Sequence, residues 1–225
     1  MIADRLQAIR SELPDRVRLI AVSKFHPIES IIEAYKAGQR HFGENRVQEM
    51  VSKEVLLRSQ CPDLQWHQIG TLQRNKVKYI APFVSMIESV DSLRLMDEIE
   101  RQAARYERKI DILLQVHVAA EETKSGFALD KLEEAAQLLS QTDCYPHIRP
   151  CGVMGMATLT TDEERVRQDF VQIRELFVHL RQDYFSSCEC FEQISMGMSG
   201  DYRIAIEEGS TSVRIGSAIF GERNY

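Results

Sequence analysis

Eight short runs suited to β-strands alternate along 225 residues with stretches of helical periodicity, and this alternation constrains the fold more than any other feature. One amphipathic helix comes first, over 2–12, with Ile2, Leu6, Ile9 and Leu13 on a single face. The first strand, Val17–Val22, ends at Ser23-Lys24; Pro27 then opens a helix that Gly38 closes. Further strands are expected near 40–42, over Trp66–Ile69, Phe83–Ile87 and Ile110–Val118, near 147–153, and over Gln193–Met196 and Ser212–Ile215. The helices between them run from Asn45 to about Arg58, then over 73–80, 92–107, 130–140, 161–184 and 201–208. Thr161-Asp162-Glu163-Glu164 puts acidic residues at the N-terminus of the longest one, where the helix dipole favours them. Repeated βα units imply a parallel sheet, and eight of them imply an α/β fold closed into a (β/α)8 barrel. Periodicity does not show closure, so a doubly wound open sheet is the competing architecture. No linker, low-complexity stretch or repeat splits the chain, and 1–225 is read as one domain.

Hydrophobic residues at 44% and charged residues at 28% suit one large core. A net charge of −6 gives no chain-wide attraction to nucleic acid or anionic lipid, so an anionic ligand needs a local site of amides and a few cations. The N-terminus has no apolar h-region and no run reaches membrane-spanning length, so a cytoplasmic protein without membrane or nucleic-acid partners is expected. Five cysteines, Cys61, Cys144, Cys151, Cys188 and Cys190, are an odd count without a Cys-x2-Cys pair. They read as free thiols in a reducing compartment, and no metal site is expected.

In a barrel, ligands sit at the strand C-termini, and phosphate is often held after strands 7 and 8. The residues with chemical capacity fall there: Lys24 after the first strand, Asn45 after the second, Gly70-Thr71 after the third, and Thr123-Lys124-Ser125-Gly126 after the fifth. Met196-Gly197-Met198-Ser199-Gly200 follows the seventh and Gly216-Ser217 the eighth. A lysine at the end of an apolar strand can bury its stem, and desolvation frees its lone pair to attack an aldehyde; a solvated loop lysine is the plainer alternative. Ser199-Gly200 and Gly216-Ser217 offer hydroxyls and amides to a phosphate, or they are ordinary loop and cap residues with Asp201 as a capping acid. Arg214, inside the last strand, needs a partner. Either it pairs with Glu44 or Glu88 inside the barrel, or it donates to an acceptor on a bound heterocycle. His67 reads as inward-pointing and more readily as a satisfied core residue than as a catalyst. Met154, Met156, Met196 and Met198 read as packing.

Taken together these segments resemble the pyridoxal phosphate homeostasis protein family, also called YggS-like. The matching text is Ala21-Val22-Ser23-Lys24, then Phe42-Gly43-Glu44-Asn45 with Val47-Gln48-Glu49, then Trp66-His67, Ile69-Gly70, Leu72-Gln73 and Asn75-Lys76. It continues through Lys124-Ser125-Gly126, Ser195-Met196-Gly197-Met198-Ser199, Gly209-Ser210-Thr211, Val213-Arg214-Ile215-Gly216 and Ile219-Phe220-Gly221, in unbroken order over almost the whole chain. The family looks like the barrel domain of alanine racemase without its C-terminal β-domain. The resemblance implies that Lys24 carries pyridoxal 5′-phosphate (PLP) as a Schiff base. It implies that Ser199, Gly216 and Ser217 contact the phosphate and that Arg214 faces the pyridine nitrogen. Asn45 and Met196 are implied to line the ring pocket, and Lys124 to be a second lysine that influences cofactor handling. The chain departs from the family pattern at His26, Thr71, His117 and Gly155-Met156-Ala157-Thr158, which bears on the control of cofactor transfer rather than on the link itself.

The expected function is therefore a PLP-binding carrier or regulator in vitamin B6 homeostasis, monomeric, with apo PLP-dependent enzymes as its acceptors. An arginine at the pyridine nitrogen weakens the cofactor as an electron sink. The chain also ends at Tyr225 right after the eighth unit, so no second domain is expected to bring an opposing acid or base. The alternatives are a PLP-dependent amino-acid racemase or other weak PLP enzyme, and a sugar-phosphate enzyme using Lys24 without a cofactor.

Overall fold

The computed structural model describes residues 1–118, 125–141 and 143–221. Eight strands, β1 (Arg18–Val22), β2 (His41–Glu44), β3 (Gln65–Gln68), β4 (Met86–Val90), β5 (Ile110–Gln115), β6 (Ile148–Met154), β7 (Gln193–Met198) and β8 (Ser212–Ile215), pair in chain order into a closed barrel. All pairings are parallel, and β8 returns to β1 with Ile20 opposite Arg214. Closure removes the open-sheet alternative. The helices are α1 (Ile2–Glu12), α2 (Ile28–Lys36), α3 (Val47–Leu57), α4 (Val77–Ile80), α5 (Leu93–Arg105), α6 (Leu129–Ser140), α7 (Glu163–Asp183), α8 (Tyr202–Glu207) and α9 (Ser217–Phe220).

Strand alternation divides the buried residues between two compartments. Leu19, Ala21, Phe42 and Trp66 join the large cluster that includes residues of the surrounding helices, whereas Met86, Leu113, Cys151 and Met154 form a separate cluster within the sheet. Asp162 caps the longest helix, its carboxylate accepting the N–H groups of Glu164 and Arg165 at 3.1 and 3.3 Å. Gly152 tolerates no side chain: its φ is +147°, and a Cβ would lie 1.8 Å from the Gln193 carbonyl oxygen. The β5–β6 register shifts nearby, between Ile112 and Leu113.

The elements differ from the sequence reading in several places, among them β7, which runs on to Met198. β4 begins at Met86 rather than Phe83, because residues 80–84 complete the turn after α4, with the Val84 N–H bonded to the Ile80 carbonyl. β5 stops at Gln115 rather than Val118. The short helix α9 was not foreseen; Gly216 opens it and Gly221, with φ +89°, ends it. All five cysteines are free thiols. No helix among the described residues is long and apolar enough to cross a membrane, and no group of three or more potential metal ligands occurs among them.

Candidate functional site at the C-terminal mouth of the barrel

A cavity of about 570 Å³ opens where the strands end, and Lys24, Asn45, Ser199, Arg214, Gly216 and Ser217 all line it. These residues come from the ends of β1, β2, β7 and β8, whose order around the barrel brings them to one place. Gly70 also lies on this wall. A Cβ there would be 2.6 Å from the Asn45 Cβ, so the loops after β2 and β3 touch only because residue 70 has no side chain. Ser89 Oγ and Gln68 Nε2 hold the Gly70 carbonyl at 2.6 and 2.9 Å.

On the phosphate side proposed from sequence, the Gly216 N–H donates to Ser199 Oγ at 3.3 Å, joining the loops after β7 and β8. Arg214 forms the floor. It is 4% exposed, and its Nη1 donates to the Ser195 carbonyl at 2.8 Å and to Ser195 Oγ at 2.6 Å, while Nη2 donates to the Gly155 carbonyl at 2.8 Å. Glu88 Oε2 stands 3.8 Å away and accepts from Ser195 Oγ at 2.6 Å. Burial lowers the Arg214 pKa, with Glu88 and Asp201 opposing it, and a guanidinium stays charged at neutral pH. Both readings of Arg214 are thus compatible with one arrangement: it pairs with Glu88 and still faces the cavity.

The polar chain continues down the barrel axis. Glu88 Oε1 meets His67 Nδ1 at 2.7 Å, and His67 Nε2 meets His41 Nδ1 at 3.0 Å. Burial alone would raise the Glu88 carboxyl; hydrogen bonding and electrostatic interaction with His67, the charge of Arg214 and the Ser195 hydroxyl overcome it and hold the pKa below the usual carboxylate value. His41 is pushed down to about 3, chiefly by burial and then by its electrostatic interaction with the neighbouring His67 and with Arg18. His67 is accordingly the satisfied interior residue the sequence favoured.

Two expectations about neighbours need correction. Met196 does not line the cavity: it is fully buried in the cluster shared with the helices, because Ser195 points inward and the next residue points out. Met156 and Met198 stand on the wall instead. Glu44 is not inside the barrel. It faces α3, where Lys53 Nζ meets Glu44 Oε1 at 2.8 Å and Glu49 Oε1 at 2.7 Å. Burial raises the Glu44 pKa, against the influence of Lys53 and Ser23. Lys124 lies outside the described residues. His26, one of the departures from the family pattern, stacks on Phe220 with ring centroids 4.9 Å apart.

Sequence reasoning missed Gln115, whose Nε2 holds the Ser125 carbonyl at 2.6 Å on the cavity wall. It also missed Lys53, a helix residue that is only 6% exposed. The spacing of Glu49 and Lys53, four apart on α3, was visible but reads as a surface ion pair.

A parallel barrel with a lysine at the end of β1 and an arginine in β8 beneath hydroxyl-bearing loops defines a class, the alanine racemase N-terminal domain, and the family of that description matches residues 1–224. A pyridoxal phosphate homeostasis protein of Aquifex aeolicus is 41% identical over 208 residues, covering 92% of this chain and 88% of that protein. That of Pasteurella multocida is 38% identical over 219 residues, covering 97% and 91%. The structure of PipY from Synechococcus elongatus PCC7942, solved with PLP bound, superposes with a TM-score of 0.90 at 39% identity, covering 98% of this chain and all of that one. The chain belongs to the family of pyridoxal phosphate homeostasis proteins.

Proposed function

We propose that this chain binds PLP reversibly through Lys24 and serves as an intracellular carrier and regulator of the cofactor, with its one barrel as the binding domain. The observation that carries the reading is the convergence of Lys24, the buried Arg214 and the hydroxyl-bearing loops of Ser199 and Ser217 on one cavity. The residues fit the group. Asn45, on the wall, has a buried side-chain oxygen without a hydrogen-bond partner among the described residues, a capacity that a ring substituent can use. Ser199, Gly216 and Ser217 supply small polar groups and approachable backbone for a phosphate. When bound, PLP would present its aldehyde to the Lys24 amine, with Asn45, Ser199, Gly216 and Ser217 placed to hold its ring and phosphate.

Arg214 argues for carriage over vigorous catalysis. A charged guanidinium beside a pyridine nitrogen donates to it and leaves it unprotonated, which weakens the ring as an electron sink. Among the described residues, no tyrosine lines the cavity and Lys24 is the only lysine on its wall; Lys124, the second lysine suggested by the sequence, lies outside them. The relatives' name, homeostasis protein, supports the same reading. Apo PLP-dependent enzymes are the proposed acceptors.

The test is a visible spectrum of the purified protein before and after borohydride, followed by peptide mapping. A yellow protein whose pyridoxyl group maps to Lys24, and a colourless Lys24→Ala variant that still folds, are expected. Recovery of the label mainly on another peptide would overturn the assignment.

A further inference from the structure

The two backbone groups that flank Lys24, the carbonyl of Ser23 and the N–H of Phe25, are both tied to a single ionic cluster on the outer side of the barrel wall. Lys53 Nζ donates to the Ser23 carbonyl at 2.8 Å, and the Phe25 N–H donates to Glu49 Oε1 at 2.6 Å. Lys53 also joins Glu44 and Glu49, and Ser23 Oγ donates to Glu44 Oε1 at 2.6 Å. Phe25 has φ +67°, a left-handed conformation that is costly for a residue with a side chain. The turn is therefore held open from outside: the His26 N–H closes onto the Ser23 carbonyl at 3.0 Å, and the cluster fixes the peptide on either side of Lys24.

Stability alone does not account for this arrangement. Lys53 is 6% exposed and Glu44 fully buried. Charges so placed lose hydration, and apolar residues of equal volume commonly do as well or better. What an apolar residue cannot do is grip a carbonyl. We propose that Lys53, with Glu44 and Glu49, is a positioning residue that aims the Lys24 amine at the cavity. This rests on the reading of Lys24 as the residue that links to the cofactor. Lys53 does not line the cavity; it acts through the main chain, on the Ser23 carbonyl directly and on the Phe25 N–H through Glu49.

Lys53→Met keeps the length and much of the volume of the side chain and removes its donors. The covalent step and simple occupancy are separated by two probes: PLP, and 4′-deoxypyridoxine 5′-phosphate, which has the same ring and phosphate but a methyl group where the aldehyde stands. In the variant, the rate at which PLP becomes borohydride-fixable on Lys24 should fall by about tenfold, the size of effect that misplacing a reacting group produces. Affinity for the deoxy analogue should stay within about twofold. Should Lys53→Met fail to fold, Glu49→Ala, at a half-buried position, removes the Phe25 and Lys53 contacts together and should show the same split. Equal losses for both probes would assign the cluster a general structural role and overturn the inference, as would an unchanged rate of linkage. A wild-type protein that gives no adduct on Lys24 would instead overturn the binding reading on which it rests.

Discussion

Replacing Glu88 by Gln removes one charge from the barrel interior while preserving shape, so no cavity contributes to the result. Glu88 is fully buried, accepts from His67 and Ser195 at 2.7 and 2.6 Å, and is the carboxylate nearest Arg214, at 3.8 Å. Removing one member of such a buried pair leaves the other uncompensated and costs about 3–5 kcal/mol. The amide also brings N–H donors to a place where both neighbours already donate, so one of them must turn. The loss should depend on pH in a defined direction. Because the Glu88 pKa is depressed in the folded protein, its contribution is complete above the unfolded value, about 4.3, and is lost as pH falls through the folded value. The gap between wild type and Glu88→Gln should therefore be full at about pH 7.5 and shrink below about pH 4. Trp66, the single tryptophan, is 1% exposed and reports unfolding by urea. A gap under about 1 kcal/mol at neutral pH, or one that does not change on acidification, would refute the pairing argument.

Three further outcomes are expected. Ser199→Ala should weaken PLP about ten- to a hundredfold, the loss of one hydrogen bond to a charged group, and pyridoxal far less; equal weakening, by fluorescence titration, would put the phosphate elsewhere. The His41 pKa is pushed down to about 3 from 6.5, so the unfolded chain takes up a proton that the folded one refuses, and stability should decline as pH falls from 6.5 toward 3. His41→Asn should flatten that decline, which is at most about 1.4 kcal/mol per pH unit and smaller because the ring is partly exposed; an unchanged slope in urea melts would exclude His41 as the source. Holo-protein incubated with single L-amino acids in deuterated water should show little α-deuteration or D-isomer by NMR and chiral chromatography; turnover of about 1–1000 per second would move the chain to the racemase alternative.

The barrel was legible because local signals agreed with one another. The apolar run at β1 ended on Ser23-Lys24, Pro27 and Gly38 bounded α2, and the order of units then placed Lys24, Asn45, Ser199, Arg214, Gly216 and Ser217 at one end. Phe83 and Val84 misled the β4 boundary because an apolar pair in a buried turn looks like the start of a strand. Met196 was misplaced by a single register step. Ser195 faces inward, so Met196 faces out, while Gly197 at φ +97° and a register shift before Met198 accompany the arrival of the second methionine at the mouth. Lys53 was illegible for another reason: a Glu–Lys pair four apart has the pattern of a solvated helix face, and only the packing of α3 over the ends of β1 and β2 buries it.

The length of the interior polar chain follows from the same logic of satisfaction. Barrel interiors are ordinarily filled with branched apolar side chains, yet this one includes His41, His67, Glu88, Ser195 and Arg214. An arginine that must stay charged beneath a ligand requires a nearby anion, because an isolated buried charge is prohibitive. Glu88 is that anion, and its second oxygen then needs a donor, which His67 provides. The far nitrogen of His67, which is nearly buried, needs a partner in turn, and His41 meets it at 3.0 Å. His41 lines a recess at the opposite, N-terminal end of the barrel, with Arg18, Gln65 and Arg149 around it, and there water can take over. Each link thus satisfies the polar group above it, and the chain ends at this recess. One charged residue in the cavity floor dictates polar chemistry through the whole depth of the barrel.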